Sequence, residues 1–304
     1  MRLRSSRTGN SQDKGSPDAS PGLGTLYAKA AVSSVGPRAH TLPDTELRTR
    51  ATVDRARLAE YDRVCGFAFD DALPATYPHM LAFPLQVRLM AGRSFPLPLP
   101  GLVHIANSIT AHRRIDASET LDVRVRAERF VPHPKGAQVD LVAAVDAGGE
   151  RVWDSRSTYL ARGAKAPDEA PASRHEPVRE STPTGARVDT DGTPTATWRV
   201  DAGAGRRYAA VSGDVNPIHL HPWTAKAFGF PRAIAHGMWT AAHALAALQG
   251  RLPDALTYDV EFGRPLLLPS TVELRTRAVD GGWDLGVSSR GKAHLTAAIR
   301  RSVG

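Results

Sequence analysis

An α+β fold made of two similar halves is predicted, and three features of the sequence predict it. Alternating apolar and polar residues, as in Leu121-Asp122-Val123-Arg124-Val125-Arg126, mark half-buried strands. Such runs come in two sets: 101–110, 119–131, 137–146 and 150–162, then 256–262, 271–279, 283–289 and 293–300. Each set follows an apolar stretch suited to a buried helix, Met80 to Gly92 and Met238 to Gly250, with the same 12-residue spacing. Finally, Val53–Phe67 aligns without a gap on Val200–Asp214, an offset of 147 residues, with Val, Asp, Tyr, Val and Gly in common. The matching order of elements points to an internal duplication. A sheet with a buried helix against one face is an α+β arrangement.

Taken in order, residues 1–24 are polar and rich in Ser, Gly and Pro, and are expected to lack fixed structure. The first half follows over 25–162. Its helix contains Pro84, which must either begin that helix or kink it. Residues 163–193 run through Pro, Glu, Ser and Thr and read as a linker. The second half occupies 194–304. In it Pro222 suits the first turn of a short helix over 222–228, and Gly237 opens an apolar helix to about Gln249.

The chain of 304 residues is 41% hydrophobic and 23% charged, an ordinary globular balance. A single cysteine, Cys65, excludes an internal disulfide or a cysteine-cluster zinc site and suits a reducing compartment. No segment reaches the ~20 apolar residues that a membrane-spanning helix needs. The Arg/Ser-rich start has no apolar stretch behind it, so a cytoplasmic protein is expected. The net charge of +8 suits a phosphate-bearing partner. Its arginines (Arg124, Arg126, Arg129, Arg275, Arg277) are scattered through strands and form no basic run. A solvated sheet face explains them, and nucleic acid is not the expected partner.

The stretch that carries chemistry is Tyr208-Ala209-Ala210-Val211-Ser212-Gly213-Asp214-Val215-Asn216-Pro217-Ile218-His219, followed by Ile234-Ala235-His236-Gly237-Met238. Gly213, Asn216 and Pro217 crowd a tight loop that brings Asp214 and His219 into one irregular segment. A carboxylate and an imidazole can share one water, taking its proton and orienting its lone pair. A backbone N–H at a helix N-terminus, here that of Gly237, can stabilise an enolate-like thioester oxygen. Glycine there would let a ligand approach closely. That chemistry needs no metal, nucleotide or flavin.

Over 208–238 the sequence resembles the MaoC-like, or (R)-specific enoyl-CoA hydratase, family of the hot-dog fold, and the element order fits across 190–304. The first half resembles the degenerate repeat of two-repeat members. The resemblance implies a double hot-dog, each repeat a sheet wrapped around a central helix, with one active site at the interface. It implies reversible hydration of trans-2-enoyl thioesters to (R)-3-hydroxyacyl thioesters, with acyl-CoA or an acyl carrier protein as partner and no cofactor. Asp214 and His219 fall on the catalytic pair and Gly237 on the oxyanion donor; His236 and Asn216 are expected to contact substrate. A homodimer is compatible with this reading. One departure is Leu245, where some members carry a helix serine.

Other readings compete. Asp214 could only cap loop N–H groups, as Asp beside Gly and Asn often does. His219, His221 and His236 could hold a metal with Asp214, although two histidines at i and i+2 in a loop are weak evidence for a closed shell. His236 reads as a pocket-wall or helix-entry residue, and Ser212 does not sit on a nucleophile elbow. Trp223, Phe228, Phe230 and Trp239 belong either to the core or to an acyl pocket. In the first half Phe67 replaces Asp214, no Asn-Pro-Ile-His follows, and Cys65 reads as a small buried hydrophobe. The rival to an enzyme is a non-catalytic acyl-thioester-binding or scaffold subunit.

Overall fold

The alternating patterns become ten strands of one antiparallel sheet. The computed structural model describes residue 24, residues 37–167 and residues 193–302. All but the last residue of the expected tail over 1–24, and most of the linker over 163–193, lie outside the described residues. The strands of the first half are β1 (Leu47–Thr52), β2 (Leu102–Ala111), β3 (Thr120–His133), β4 (Gly136–Ala147) and β5 (Glu150–Arg162). Those of the second are β6 (Ala196–Val200), β7 (Leu256–Phe262), β8 (Ser270–Val279), β9 (Gly282–Ser289) and β10 (Lys292–Arg301). Their order, β1-β3-β4-β5-β2-β7-β10-β9-β8-β6, reads the same way outward from the centre in both halves.

The halves are joined where β2 pairs with β7, from Ala106 opposite Glu261 to Ala111 opposite Leu256. Across this seam the Ser108 hydroxyl donates to Asp259 Oδ1 at 2.5 Å. Each half thus covers a sheet edge that the other would expose.

The duplicated stretch is helical in both halves: α1 (Arg55–Cys65) in the first and, in the second, α3 (Ala204–Ser212); between them in sequence lies α2 (Tyr77–Ala91). Of these, α1 and α3 were not expected from sequence, whereas α2 answers to the apolar stretch from Met80 to Gly92. Leu58, Tyr61 and Cys65 recur at helical spacing and are buried. The residues common to the two copies explain themselves. Asp54 caps α1 by accepting from the Ala56 and Arg57 N–H groups, and Gly66 ends it at φ 85°. Gly213 ends α3 in the same left-handed conformation, at φ 78°. The two shared tyrosines, Tyr61 and Tyr208, meet with ring centroids 6.4 Å apart.

Helix α2 is the central helix of the first half, with eleven of its fifteen residues buried. It starts at Tyr77 with Pro78 in its first turn, so Pro84 does not begin it. Pro84 sits inside and denies the Met80 carbonyl its helical N–H partner. In the second half α4 (Pro217–Leu220) and α5 (Pro222–Ala227) are short, and α6 (Gly237–Ala246) is the central helix. It stops three residues short of Gln249, where turns replace it. The halves also cap one another. His243 Nδ1 donates to the Cys65 carbonyl at 2.7 Å, Trp239 Nε1 to the Val64 carbonyl at 3.0 Å, and Arg57 Nε to the Val211 carbonyl at 2.9 Å.

The strand arginines are only in part a solvated face: Arg277 is exposed and Arg129 half-exposed, whereas others are withdrawn from solvent. Arg126 and Arg156 are 5% and 3% exposed and pair with Glu128, with Asp140 completing the Arg156 contacts. Arg124 pairs with Asp146, Arg275 with Glu273 and Arg277 with Asp284. Carboxylates on the same sheet offset these charges, which is why the positive balance does not gather into a groove. No helix among the described residues is long and apolar enough to cross a membrane.

Candidate active site

Asp214 lies just past the left-handed Gly213 that ends α3, so the chain turns sharply there toward α4. Asp214 Oδ1 accepts the Asn216 N–H at 3.2 Å, and its own N–H donates to Ser212 Oγ at 3.1 Å. The loop-capping role is therefore real, and it fixes the position of the carboxylate. Asn216 Oδ1 in turn accepts from the Ile218 N–H and starts α4, which carries His219. Gly205 lets α4 sit this close. A Cβ there would stand 2.1 Å from the His219 carbonyl oxygen. Sequence reasoning missed this residue; its counterpart in the first copy is Leu58.

His219 is buried, with Nδ1 2.8 Å from the Ile234 carbonyl. A carbonyl can only accept, so Nδ1 carries the proton and Nε2 keeps its lone pair. His236 stands at the N-cap position of α6 and lines the cavity wall, combining the two roles expected of it. Its Nε2 donates to the Asp214 carbonyl at 2.9 Å, and its ring stacks on His219 at 3.7 Å between centroids. Burial lowers the pKa of both histidines, that of His236 to about 3, against the opposing pull of the Asp214 charge. Both rings are neutral near pH 7.

One ring nitrogen of each histidine and an Asp214 oxygen lie within 4.8 Å of one another. That is the group among the described residues with spacing for a cation, and His221 is not part of it. His221 instead lies at the start of α5, 3.4 Å from the Trp223 N–H. Two of the four ring nitrogens, His219 Nδ1 and His236 Nε2, are already committed to backbone carbonyls.

These residues open onto a cavity of about 280 Å³. The second half supplies Asp214, His219, Gly237, Thr240 and Phe262, and the first supplies Met80, Phe83, Met90, Leu99 and Tyr159. Asn216 also lines it. The cavity thus lies between the repeats, and the helix carrying Pro84 forms part of its apolar wall. At Gly237 the reason for glycine differs from the one expected. A Cβ there would meet the Phe262 ring at 3.0–3.1 Å, so glycine admits that ring. The Gly237 N–H still lies in the first turn of α6, where it has no carbonyl within the helix.

Phe228 and Phe230 line the cavity, Trp239 is in the core, and Trp223 is neither, lying 73% exposed with Lys226 over its ring. Cys65 is fully buried and burial raises its thiol pKa, as expected for a small hydrophobe. Leu245 is packed in the core and does not line the cavity; Thr240 is the α6 hydroxyl that does. Sequence reasoning also missed His79, His104 and Tyr159, which line the same cavity from the first half.

A family model described as MaoC like domain matches residues 181–294. The 3-hydroxyacyl-thioester dehydratase X of Mycobacterium tuberculosis is 39% identical over 280 residues, covering 90% of this chain and 96% of that protein. The crystal structure of HtdX of Mycobacterium tuberculosis superposes with a TM-score of 0.73 at 38% identity, covering 85% of this chain and all of that one. A MaoC-like dehydratase from Phytophthora capsici, at 20% identity, shares the fold with a TM-score of 0.70 over 86% of this chain and 97% of its own. With a double hot-dog fold, a cavity between its repeats and this extent of similarity, the chain belongs to the MaoC-like dehydratase family.

Proposed function

We propose that this protein interconverts trans-2-enoyl and (R)-3-hydroxyacyl thioesters, with Asp214 and His219 as the acid–base pair. The observation that carries the reading is the fixed tautomer of His219: Nδ1 is held by the Ile234 carbonyl, so Nε2 keeps its lone pair as a base, in a ring that has a nitrogen within 4.8 Å of an Asp214 oxygen. In hydration, a water held between Asp214 and His219 gives up a proton to the pair as its oxygen bonds to C3. The pair returns a proton to C2, and dehydration is the reverse. As C2 gains or loses that proton, charge builds on the thioester oxygen. The Gly237 N–H and the α6 dipole stabilise it. His236 and Asn216 line the substrate's path, with His236 also holding the Asp214 backbone.

The acyl chain fits the apolar wall of Met80, Phe83, Met90 and Leu99, and the exposed Arg162 and Arg264 at the cavity opening suit the phosphates of coenzyme A or a carrier protein's arm. A reducing, cytoplasmic setting is consistent with one buried thiol. The test follows enoyl absorbance on an enoyl-CoA chain-length series with chiral analysis of the product. Turnover to the (R)-3-hydroxyacyl product supports the reading. No turnover at any chain length refutes it and leaves a thioester-binding subunit.

A further inference from the structure

The first repeat has lost the Asp–His loop, yet it presents buried and half-buried polar side chains to the same cavity. His79 comes from α2, and His104 and Tyr159 from the paired strands β2 and β5. The β2–β5 register slips between His104 and Ala106, leaving Ile105 as an extra residue. A bulge of this kind re-aims the side chains beside it. His104 lies opposite Tyr159, with the rings stacked at 4.6 Å, and runs nearly parallel to His79 at 6.1 Å. On its other side His104 meets Phe262 at 4.9 Å, the same ring that fills the space beside Gly237. His79, His104 and Tyr159 line the same cavity as Asp214, within reach of its charge.

These groups are unevenly satisfied. Tyr159 donates to Gln86 Oε1 at 3.3 Å. His79 Nδ1, His104 Nε2 and Gln86 Nε2 are buried and have no hydrogen-bond partner among the described residues. Such an orphan is costly in a folded protein. An apolar acyl pocket would be better lined by Leu or Phe at these positions. Burial lowers the pKa of His79 to about 4 and that of His104 to about 3, so both rings are neutral and offer no charge to a phosphate or carboxylate.

We infer that His79 and His104 form a polar subsite, supplied by the first repeat, for an uncharged oxygen-bearing group of the thioester other than the C1 carbonyl and the C3 hydroxyl. The group is a hydroxyl or carbonyl. It belongs either to an oxygenated acyl chain or to the amide arm of the carrier. The inference rests on the thioester reading above, and its test is made by binding so that it does not depend on turnover.

Calorimetric affinities are measured for the full chain and for His79→Phe and His104→Phe. One set of ligands is a saturated acyl-CoA and its 5-hydroxy and 5-oxo counterparts. The other is a saturated pantetheine thioester and the N-acetylcysteamine thioester of the same acyl group. One net hydrogen bond corresponds to about 3–10-fold in affinity. If the oxygen is on the chain, the unmodified protein prefers the oxygenated acyl-CoA by about that factor and both variants lose the preference. If it is on the arm, the unmodified protein prefers pantetheine over the shorter handle by a similar factor and the variants do not. Either pattern supports the subsite. Absence of both preferences, or their survival in both variants, overturns it. Should the variants not fold, ring-15N histidine spectra of the unmodified protein decide. Under the subsite the His79 and His104 ring nitrogens shift with the preferred ligand only, and no such shift overturns it. Retained preferences in a protein that fails to hydrate any enoyl-CoA would refute the functional reading and leave the subsite standing.

Discussion

His219 and His236 lie face to face, 3.7 Å between ring centroids, and each has one nitrogen pinned to a backbone carbonyl, that of Ile234 and that of Asp214. The stack ties the loop bearing the carboxylate to the N-terminus of α6 in a single unit. Both rings are buried and neutral, which has a consequence for pH. Burial sets the folded-state pKa of His79, His104, His219 and His236 below the ordinary 6.5. As pH falls beneath 6.5 the unfolded chain binds protons that the folded chain refuses. Stability is therefore full above that value and drains below it, continuing toward about 4 for His79 and about 3 for His104 and His236. Each such histidine removes up to about 1.4 kcal/mol per pH unit in that window. Denaturant titrations at about pH 7.5, 6 and 5 check this. A stability unchanged from pH 7.5 to 5 would show that these rings are not held neutral.

Gly205 sets the position of the loop that carries His219 from behind. Gly205→Ala places a methyl group 2.1 Å from the His219 carbonyl oxygen, and backbone must move. Overpacking of this kind costs about 1–3 kcal/mol. Because the displaced segment carries His219, the expected result is a loss of turnover of at least about ten-fold with the protein still folded. Unchanged kinetics in the variant would mean that α3 and α4 do not define the site.

In the first copy, Phe67→Asp restores a carboxylate at the position equivalent to Asp214, but creates no second site. Phe67 is 7% exposed and stacks near Tyr61, and no histidine loop follows it. Losing the ring costs about 3–5 kcal/mol, and an unpaired buried carboxylate adds to that or becomes protonated. Melting temperature should fall sharply. Turnover in an Asp214→Asn background should stay at the level of that variant alone, and recovered activity there would show a second usable site.

Residues 190–304 expressed alone should aggregate or associate. Removing the first half strips β2 from the edge of β7 and takes away one wall of the cavity. Size-exclusion chromatography with light scattering reads this directly; an active monomer would show the halves to be independent.

Much of the architecture was legible because strands advertise themselves by alternation. All eight runs picked out by pattern are strands in the structure. The α1 and α3 helices were not legible, since each is short and charged residues interrupt its apolar ones. Their caps, Asp54, Gly66 and Gly213, were visible as identities between the copies before their meaning was. The motif brought Asp214, His219, His236 and Gly237 into view together because they lie within 24 consecutive residues. His79, His104, Tyr159 and Gly205 could not be read this way. The first three reach the cavity through long-range pairing and a bulge, and the last matters only through what stands opposite its missing side chain.

The central claim is that Asp214 and His219 move the protons, and turnover of an enoyl-CoA by Asp214→Asn and His219→Gln tests it most directly. Both substitutions keep side-chain size and hydrogen-bonding capacity, so the loop should remain folded, with a melting temperature close to that of the unmodified protein. Each variant should lose about 10²–10⁴-fold in kcat, the range for removal of an acid–base group. The two together should cost little more than the worse of the pair, because they act on one water. Near-normal kcat in both folded variants would contradict the account.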